Sequence, residues 1–199
     1  MDSKKNEIIE KAGSVFMKYG IKSVTMDDIA RELIISKKTL YQYFEDKNDL
    51  VIEIIKNKTL SDKCICDDTS KNAKNAIEEL FEVSKYVSQM MSGIHPSIFF
   101  DLKKFHPEAW KIIYNHKWDF VYQLILQNIE RGISEGLYRN DVHKEIVAFF
   151  YVSTTDLIAD SDFLYKNKFT SDEIFKENIL FHLHGLMNEK GKEIFNQII

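Results

Sequence analysis

The sequence predicts an all-α protein built from a small N-terminal three-helix head and a larger helical domain. Apolar residues recur at helical spacing over most of the 199 residues. Two prolines and seven glycines interrupt this pattern, and 44% of the residues are hydrophobic, which favours a folded chain with short connections. We expect about nine helices, divided between a head at residues 1–47 and a second domain at residues 48–199.

The head is predicted from one longer helix and two short ones. Apolar residues at helical spacing indicate the first helix over residues 5–19, and Gly20 is placed to end it. Thr25, with Asp28 three residues later, has the pattern of an N-cap followed by an acidic first turn. Ser36 offers a second N-cap, so the second short helix begins there.

The second short helix is predicted to have one apolar face and one polar face. Leu40 and Phe44 are four residues apart and would pack inward against the preceding helix. The outward face carries residues that are cationic or hydrogen-bonding, and it has no acid: Lys37, Lys38, Thr39, Gln42 and Tyr43. Such a face can approach phosphate without like-charge repulsion.

Residues 25–47 resemble the helix-turn-helix of the tetracycline-repressor (TetR/AcrR) family of bacterial transcription regulators. Two positions depart from the family pattern. Ile34 stands where the family usually has glycine, and Lys38 where it has a small residue. A β-branched residue disfavours positive φ, so we expect a slightly different turn at Ile34. The resemblance is carried by Thr25, Asp28-Ile29-Ala30, Ser36, Thr39-Leu40-Tyr41, Tyr43-Phe44, Lys47 and Leu50.

The resemblance implies two groups of DNA-binding residues. The first would position the head on phosphate, and it comprises Thr25, Tyr41, Tyr43 and Lys47. Backbone N–H groups at the helix start near Ser36 could also meet a phosphate. The second group would lie nearest the base edges, where Gln can pair with adenine, Lys with guanine and the Thr methyl with thymine. It comprises Lys37, Lys38, Thr39 and Gln42.

The net charge of −4 does not contradict DNA binding, because the excess acid lies outside the head. Residues 1–50 hold nine basic and nine acidic side chains, whereas residues 51–199 hold 18 and 22. The basic face of the second short helix is therefore a local feature.

Helical patterns continue through the rest of the chain. A connecting helix starts near Leu50 and is expected to fade within residues 61–69, where polar and acidic residues cluster. Asp141 and Ser171 are the predicted N-caps of the last two helices. The remaining helices are predicted over residues 73–92, 96–104, 107–135, 141–165 and 171–189.

The last two predicted helices carry apolar faces wider than one helix pair can cover. The family uses its two C-terminal helices as a four-helix dimer interface, so the resemblance implies a homodimer. Packing within one chain is the alternative explanation of the same pattern. The residues expected at the interface are Phe149, Phe150, Leu157, Phe175, Ile179, Leu183 and Leu186.

The middle of the chain is rich in aromatic residues, and most of these must belong to the core. The resemblance implies that some line a pocket for a small, apolar or aromatic effector, whose binding would change the separation of two heads. His95, His106, His116 or Asp119 could add polar contacts. The candidate lining residues are Tyr86, Met90, Phe99, Trp110, Tyr114, Trp118 and Tyr122.

The sequence gives little indication of metal binding or catalysis. The Cys64/Cys66 and His182/His184 pairs lack the spacing of familiar zinc motifs, and no phosphate-cradling glycine loop or nucleophile elbow is present. We therefore expect no cofactor, no metal site and no enzymatic activity. The absence of a long apolar run or a disulfide framework favours a cytoplasmic protein without a membrane partner.

These observations favour a transcriptional regulator, and the resemblance implies that it is a ligand-responsive repressor. It would bind a palindromic double-stranded DNA operator as a homodimer and leave it when an effector binds. The alternative is a helical protein-interaction scaffold without specific DNA binding, since exposed apolar helices would serve that role equally well.

Overall fold

The computed structural model describes residues 3–95, 97–158 and 169–198, with their side chains apart from those of residues 157, 158 and 171. Within these ranges the chain forms helices and no β-strand, so the predicted all-α class is confirmed. An isolated antiparallel bridge joins Tyr138 and Met187. The elements are α1 (Ser3–Tyr19), α2 (Met26–Glu32), α3 (Lys37–Tyr43), α4 (Lys47–Asn72), α5 (Ala76–Ser92), α6 (Ile98–Phe105), α7 (Pro107–Asn115), a π-helical segment (His116–Val121), α8 (Tyr122–Ser134), α9 (Lys144–Ile158), α10 (Ser171–Leu186) and α11 (Glu189–Phe195).

The described residues form two compact units. The first comprises Met1–Asp62 and Gly93–Tyr114, and the second comprises Lys63–Ser92 and Asn115–Ile199. The three helices of the head therefore share a unit with the first part of α4 and with α6 and α7. The functional division that the sequence suggests after residue 47 stays a prediction.

The core of the first unit is built from the apolar stripe of α1. Ile8, Ile9, Ala12 and Phe16 are buried, as their helical spacing predicts. Gly20 has a φ of 82°, which ends α1 in the left-handed conformation that glycine adopts without strain. The helices after it contribute buried Ile29, Ala30, Leu40, Phe44, Leu50 and Val51.

Two polar contacts fix α6 and α7 to the rest of the first unit. The buried carboxylate of Asp101 accepts a 2.9 Å hydrogen bond from the backbone N–H of Lys22, in the turn after α1. A second contact of 2.8 Å joins His106 Nδ1 to Asn48 Oδ1 at the start of α4. Burial, followed by the nearby Lys47 ammonium, lowers the pKa of His106, so the neutral imidazole is favoured there.

The second unit is held together by an apolar core and by one arginine. The Arg131 guanidinium on α8 donates to the carboxylates of Glu79 at 2.9 Å and Glu135 at 2.7 Å. It also donates to the backbone carbonyls of Ser70 and Ala73, at 3.2 Å and 2.8 Å. Arg131 thereby satisfies carbonyls at the end of α4 that have no partner within the helix.

The expected fading of α4 within residues 61–69 is wrong, because the helix continues to Asn72. Its polar residues lie on exposed faces, and Cys66 is the buried residue in this part. Lys58 and Asp62 form an ion pair of 3.6 Å along the helix, and Arg131 binds its last turn. A locally polar composition therefore does not end a helix whose carbonyls are satisfied elsewhere.

Two of the predicted N-caps are displaced. Thr170, one residue before the predicted Ser171, caps α10 through a capping box with Glu173. Asp141 lies three residues before α9 and accepts a hydrogen bond from Arg139 instead. Pro96 and residues 159–165, which the sequence assigned to helices, lie outside the described residues.

The predicted long helix over residues 107–135 contains a π-helical segment. The backbone N–H of Tyr122 donates to the carbonyl of Lys117, five residues earlier, in place of the usual partner four residues earlier. A π-helical turn carries more residues than an α-helical one, so the side chains after it are rotated relative to those before it.

Candidate DNA-binding surface

Helix α2 begins with a complete capping box. The Thr25 hydroxyl accepts a hydrogen bond from the Asp28 backbone N–H at 3.2 Å and donates to the Asp28 carboxylate at 2.6 Å. The Thr25 backbone N–H donates to the same carboxylate at 2.9 Å. The predicted N-cap is confirmed. These hydrogen bonds from Thr25 hold the pKa of Asp28 below its usual value, so the carboxylate stays charged.

The turn between α2 and α3 is a Schellman motif. The backbone N–H of Ile35 donates to the Ala30 carbonyl at 3.0 Å, and that of Ile34 donates to the Arg31 carbonyl at 3.1 Å. This pattern requires a left-handed residue at position 34, where φ is 55°. The expectation of a different turn is therefore wrong. The two hydrogen bonds and the packing of Ile35 against the core hold Ile34 in a conformation that disfavours a β-branched side chain, at a cost of about 1–2 kcal/mol.

Helix α3 presents the predicted polar face to solvent. The Ser36 hydroxyl caps the helix by accepting from the Thr39 backbone N–H at 3.0 Å. Leu40 and Phe44 are buried against the core, as their spacing predicts. Thr39 and Tyr43 are partly buried, and Tyr43 packs against that core. The exposed residues of the helix are Lys37, Lys38, Tyr41 and Gln42.

Two of the candidate reading residues are already engaged by other side chains of the head. The Lys37 ammonium forms a 2.7 Å ion pair with Asp27 of α2, and this hydrogen-bonded contact raises the pKa of Lys37. The Thr39 hydroxyl lies at hydrogen-bonding distance, 2.7 Å, from the Ser36 hydroxyl. The methyl group is therefore the part of the Thr39 side chain that is not hydrogen-bonded. Lys38 and Gln42, the other two candidates, are exposed.

Lys47 lies at the start of α4 and is less accessible than the sequence suggests. Its ammonium lies 5.8 Å from the centre of the Phe16 ring, and the residue is partly buried. Burial lowers the pKa of Lys47, although Asp101 and Asp28 act in the opposite direction. A contact with phosphate would compensate for part of the hydration that the Lys47 ammonium loses by burial.

The candidate effector residues fall into both units. Phe99, Trp110 and Tyr114 belong to the first unit, where Trp110 packs against the core and Tyr114 is exposed. The others belong to the second unit. Of these, Trp118 stacks on Phe149 with ring centres 5.5 Å apart and lies 6.4 Å from the ring of Tyr122. The remaining two are partly buried residues of α5, Tyr86 and Met90.

The candidate interface residues separate into two sets. Phe149 and Phe150 on α9 are exposed, by 48% and 62% of their surface. The candidates on α10 are buried within their own unit, because that helix packs on α5 and α9. They are Phe175, Ile179, Leu183 and Leu186. The side chain of Leu157 lies outside the described residues.

Sequence reasoning missed Phe181 and Asp27. Phe181 on α10 is 83% exposed and lies on the face opposite Ile179 and Leu183. The sequence could have indicated Phe181, because apolar residues on both faces of one helix are typical of a helix that is covered on two sides. Asp27 pairs with Lys37 across two helices, and no sequence spacing announces such a contact.

The paired Cys and His residues do not converge. Cys64 is exposed and Cys66 is buried, and likewise His182 is buried while His184 is exposed. Among the residues that the structure describes, no three His, Cys, Asp or Glu side chains are grouped to hold a metal ion. In the same ranges, no helix combines the length and the apolar character that crossing a bilayer requires.

Comparison with known proteins gives a consistent picture. Residues 8–54 match the model of the family described as bacterial regulatory proteins, tetR family. The chain is 25% identical over 166 residues to the uncharacterized HTH-type transcriptional regulator YvaF of Bacillus subtilis, covering 80% of this chain and 85% of that protein. It is 20% identical over 193 residues to the HTH-type transcriptional repressor KstR2 of Rhodococcus jostii, covering 92% and 91%.

Solved structures share the fold. A TetR-family transcriptional regulator from Agrobacterium tumefaciens superimposes with a TM-score of 0.75 at 16% identity, covering 94% of this chain and 98% of that one. The regulator FadR from Bacillus subtilis, solved in complex with stearoyl-CoA, gives a TM-score of 0.68 at 18% identity, covering 90% and 98%. Residues 8–54, with their capped helix-turn-helix, thus match the DNA-binding domain of the TetR family of bacterial regulatory proteins, and over most of its length the chain is similar to transcriptional regulators of that family.

Proposed function

We propose that the protein is a repressor that binds a palindromic DNA operator as a homodimer and is released by a small apolar or aromatic effector. The orientation of α3 is the main support for the proposed recognition of DNA. Its apolar residues Leu40 and Phe44 are buried, while Lys37, Lys38 and Gln42 point outward from a rigidly capped helix. A helix anchored in this way can enter the major groove without losing its own packing.

Contacts with phosphate would come from the residues around that helix. Tyr41 is exposed on α3, and Tyr43 and Lys47 lie at the end of α3 and the start of α4. The Thr25 hydroxyl hydrogen is committed to Asp28, so a phosphate would compete with that carboxylate for it. We therefore expect Thr25 to act chiefly by fixing α2, and the other three to hold the backbone.

The proposed homodimer rests on the exposed apolar residues of α9 and α10. These two helices pack on each other, with the Tyr151 and His182 rings 4.5 Å apart. Phe150 and Phe181 precede those two residues by one position each and are exposed by 62% and 83%. Exposed apolar residues on two helices that pack together are typical of a protein interface, and two linked heads would read two half-sites about 34 Å apart.

The proposed effector site is in the second unit, near the π-helical segment. Trp118 lies there with Phe149 and Tyr122 as ring neighbours. The FadR regulator with the same fold was solved with stearoyl-CoA, whose stearoyl chain is apolar. An apolar effector agrees with an aromatic lining of this kind.

A gel-shift experiment with the DNA upstream of the protein's own gene tests the proposal. We expect a specific complex whose affinity falls steeply between 50 and 200 mM salt, because lysine contacts with phosphate release counterions. A non-cognate duplex of the same length serves as the control. Equal affinity for both duplexes would contradict operator recognition, and no shift of either would favour the interaction scaffold.

A further inference from the structure

Ile34 is an exposed apolar residue in a strained conformation. Its side chain is 92% exposed, the highest value among the large hydrophobic residues that the structure describes. Its neighbours Leu33 and Ile35 pack against the head core, whereas Ile34 points away from it. Its φ of 55° is unfavourable for a β-branched residue. With 92% of its surface exposed, the Ile34 side chain itself contributes little packing to offset this strain.

The turn itself does not need an isoleucine. Helix α8 ends in the same motif, with Leu137 N–H donating to the Gly132 carbonyl and Gly136 N–H donating to the Ile133 carbonyl. There the left-handed position is occupied by Gly136, with a φ of 68°. Glycine therefore forms this turn in the same chain without strain. Strained residues cluster at sites that serve binding, which points to a use of the Ile34 side chain in binding.

The position of Ile34 indicates which molecule it meets. Ile34 is two residues before Ser36, the N-cap of α3, and so lies within about 8 Å of it along the backbone. In a helix-turn-helix the reading helix enters the major groove by its N-terminal end, while the preceding helix crosses the DNA backbone. The turn that joins them lies at the groove. The apolar group that bases present in the major groove is the C5-methyl of thymine.

We propose that Ile34 contacts a thymine methyl group of the operator and thereby contributes to sequence specificity. This inference rests on the proposed function of the head as an operator-binding domain. It adds an apolar contact to the polar base contacts that we expect from Lys38 and Gln42. An apolar contact releases no counterions, so it contributes affinity without contributing to the salt dependence.

The test uses a duplex selected from a randomised library by the full-length wild-type protein. We expect Ile34→Gly and Ile34→Ala to bind this duplex about tenfold more weakly, since a buried apolar side chain of this size corresponds to at least that factor. Ile34→Val should retain most of the affinity. The slope of affinity against salt and the affinity for a non-cognate duplex should remain unchanged in all three variants.

The second arm replaces each thymine of the selected duplex by deoxyuridine, which removes the methyl group alone. One such position should weaken the wild-type protein and leave Ile34→Gly unaffected, as expected for two partners of one contact. Circular dichroism and thermal unfolding check the fold of each variant. Because glycine relieves the strain, the melting temperature of Ile34→Gly should equal or exceed that of the wild type.

Several outcomes would overturn the inference. One is wild-type affinity in both Ile34→Gly and Ile34→Ala, and another is a loss that is the same on every DNA and independent of all methyl groups. If the wild-type protein selects no duplex, this result contradicts the proposed operator binding itself, and the inference about Ile34 is then contradicted as well. Leu60→Ala is the matched control, because Leu60 is 59% exposed and lies about 20 Å along α4 from its start. This variant should bind like the wild type.

Discussion

Ile34 and Gly136 occupy the same position of the same helix-ending motif, with φ values of 55° and 68°. The two turns therefore differ in the side chain and share the backbone. At Gly136 an added Cβ would meet no atom within 4 Å, so a substitution there measures backbone strain without a steric clash. This makes position 136 a reference for the strain that Ile34 already carries.

Replacing Gly136 should therefore destabilise the chain through conformation alone. Gly136→Ala is expected to reduce the free energy of unfolding by about 1 kcal/mol, measured by urea denaturation. Gly136→Asn is the matched control, since asparagine tolerates the left-handed region better and should lose less. Equal stability of Gly136→Ala and the wild type would contradict the strained conformation at this turn.

His182 makes the stability of the second unit dependent on pH. Burial lowers the pKa of His182 to about 4, so the folded chain keeps the imidazole neutral where the unfolded chain, with a value near 6.5, takes up a proton. Below pH 6.5 the unfolded state therefore gains protons and stability falls, until the folded state is protonated near pH 4. Between pH 7 and pH 5 the wild type should lose about 2 kcal/mol more than His182→Leu does.

Urea denaturation at several pH values measures this difference. His184→Leu provides the control, because His184 is two residues away on the same helix and is exposed. It should keep the pH profile of the wild type. If His182→Leu follows the wild-type profile as well, the neutral state of His182 is not the cause of the acid sensitivity.

Arg131 should contribute more to stability than any exposed ion pair. Arg131→Met leaves the buried carboxylate of Glu79 without its cation and frees the carbonyls at the end of α4. We expect a loss of about 3 kcal/mol in the free energy of unfolding. Adding Glu79→Gln should recover part of it, because the double variant buries no unpaired charge. Lys85→Ala, which removes the exposed pair with Glu82, should change stability by less than about 0.5 kcal/mol.

Residues of α3 and its flanks should divide into two functional classes on DNA. Tyr43→Phe, which removes the hydroxyl and keeps the packed ring, and Lys47→Ala should weaken binding to all sequences alike. Gln42→Ala should relax the preference at one base pair. A panel of duplexes with single base changes separates the two effects, and uniform losses in all three variants would contradict this division. Lys190→Ala, in α11, serves as a charge-removal control that should not alter DNA binding.

The proposed dimer can be disrupted by charge on its apolar surface. Phe181→Glu and Phe150→Glu should convert a dimer into a monomer at micromolar concentration, as measured by light scattering, because a carboxylate would be buried unpaired in the interface. Phe100→Glu is the matched control, since Phe100 is 51% exposed on α6. It should leave the mass unchanged. A wild-type protein that is monomeric at this concentration would refute the dimer.

The parts that could be predicted from sequence are those fixed by local spacing. The caps at Thr25 and Ser36 and the inward Leu40 and Phe44 depend on residues three or four positions apart, and all are confirmed. The end of α1 at Gly20 is equally local. Such features follow from helix geometry and need no knowledge of the rest of the chain.

The parts that could not be predicted depend on contacts distant in sequence or on small changes in register. Helix α4 continues past its polar stretch because Arg131, some sixty positions later, binds its last carbonyls. The π-helical segment from His116 to Val121 has no signal in the composition of the sequence. On α10, apolar residues occur on both faces, so periodicity alone could not tell buried Leu183 from exposed Phe181.

If Lys37 contacts DNA as proposed, its ion pair with Asp27 competes with that contact. A phosphate of random DNA would have to replace a carboxylate that is already 2.7 Å away, so the net gain in free energy would be reduced. An operator offers a guanine edge in addition, where a lysine can donate to two acceptors. A genome contains vastly more random sites than operators. A contact that gains little free energy at random sites therefore shortens the search for the operator.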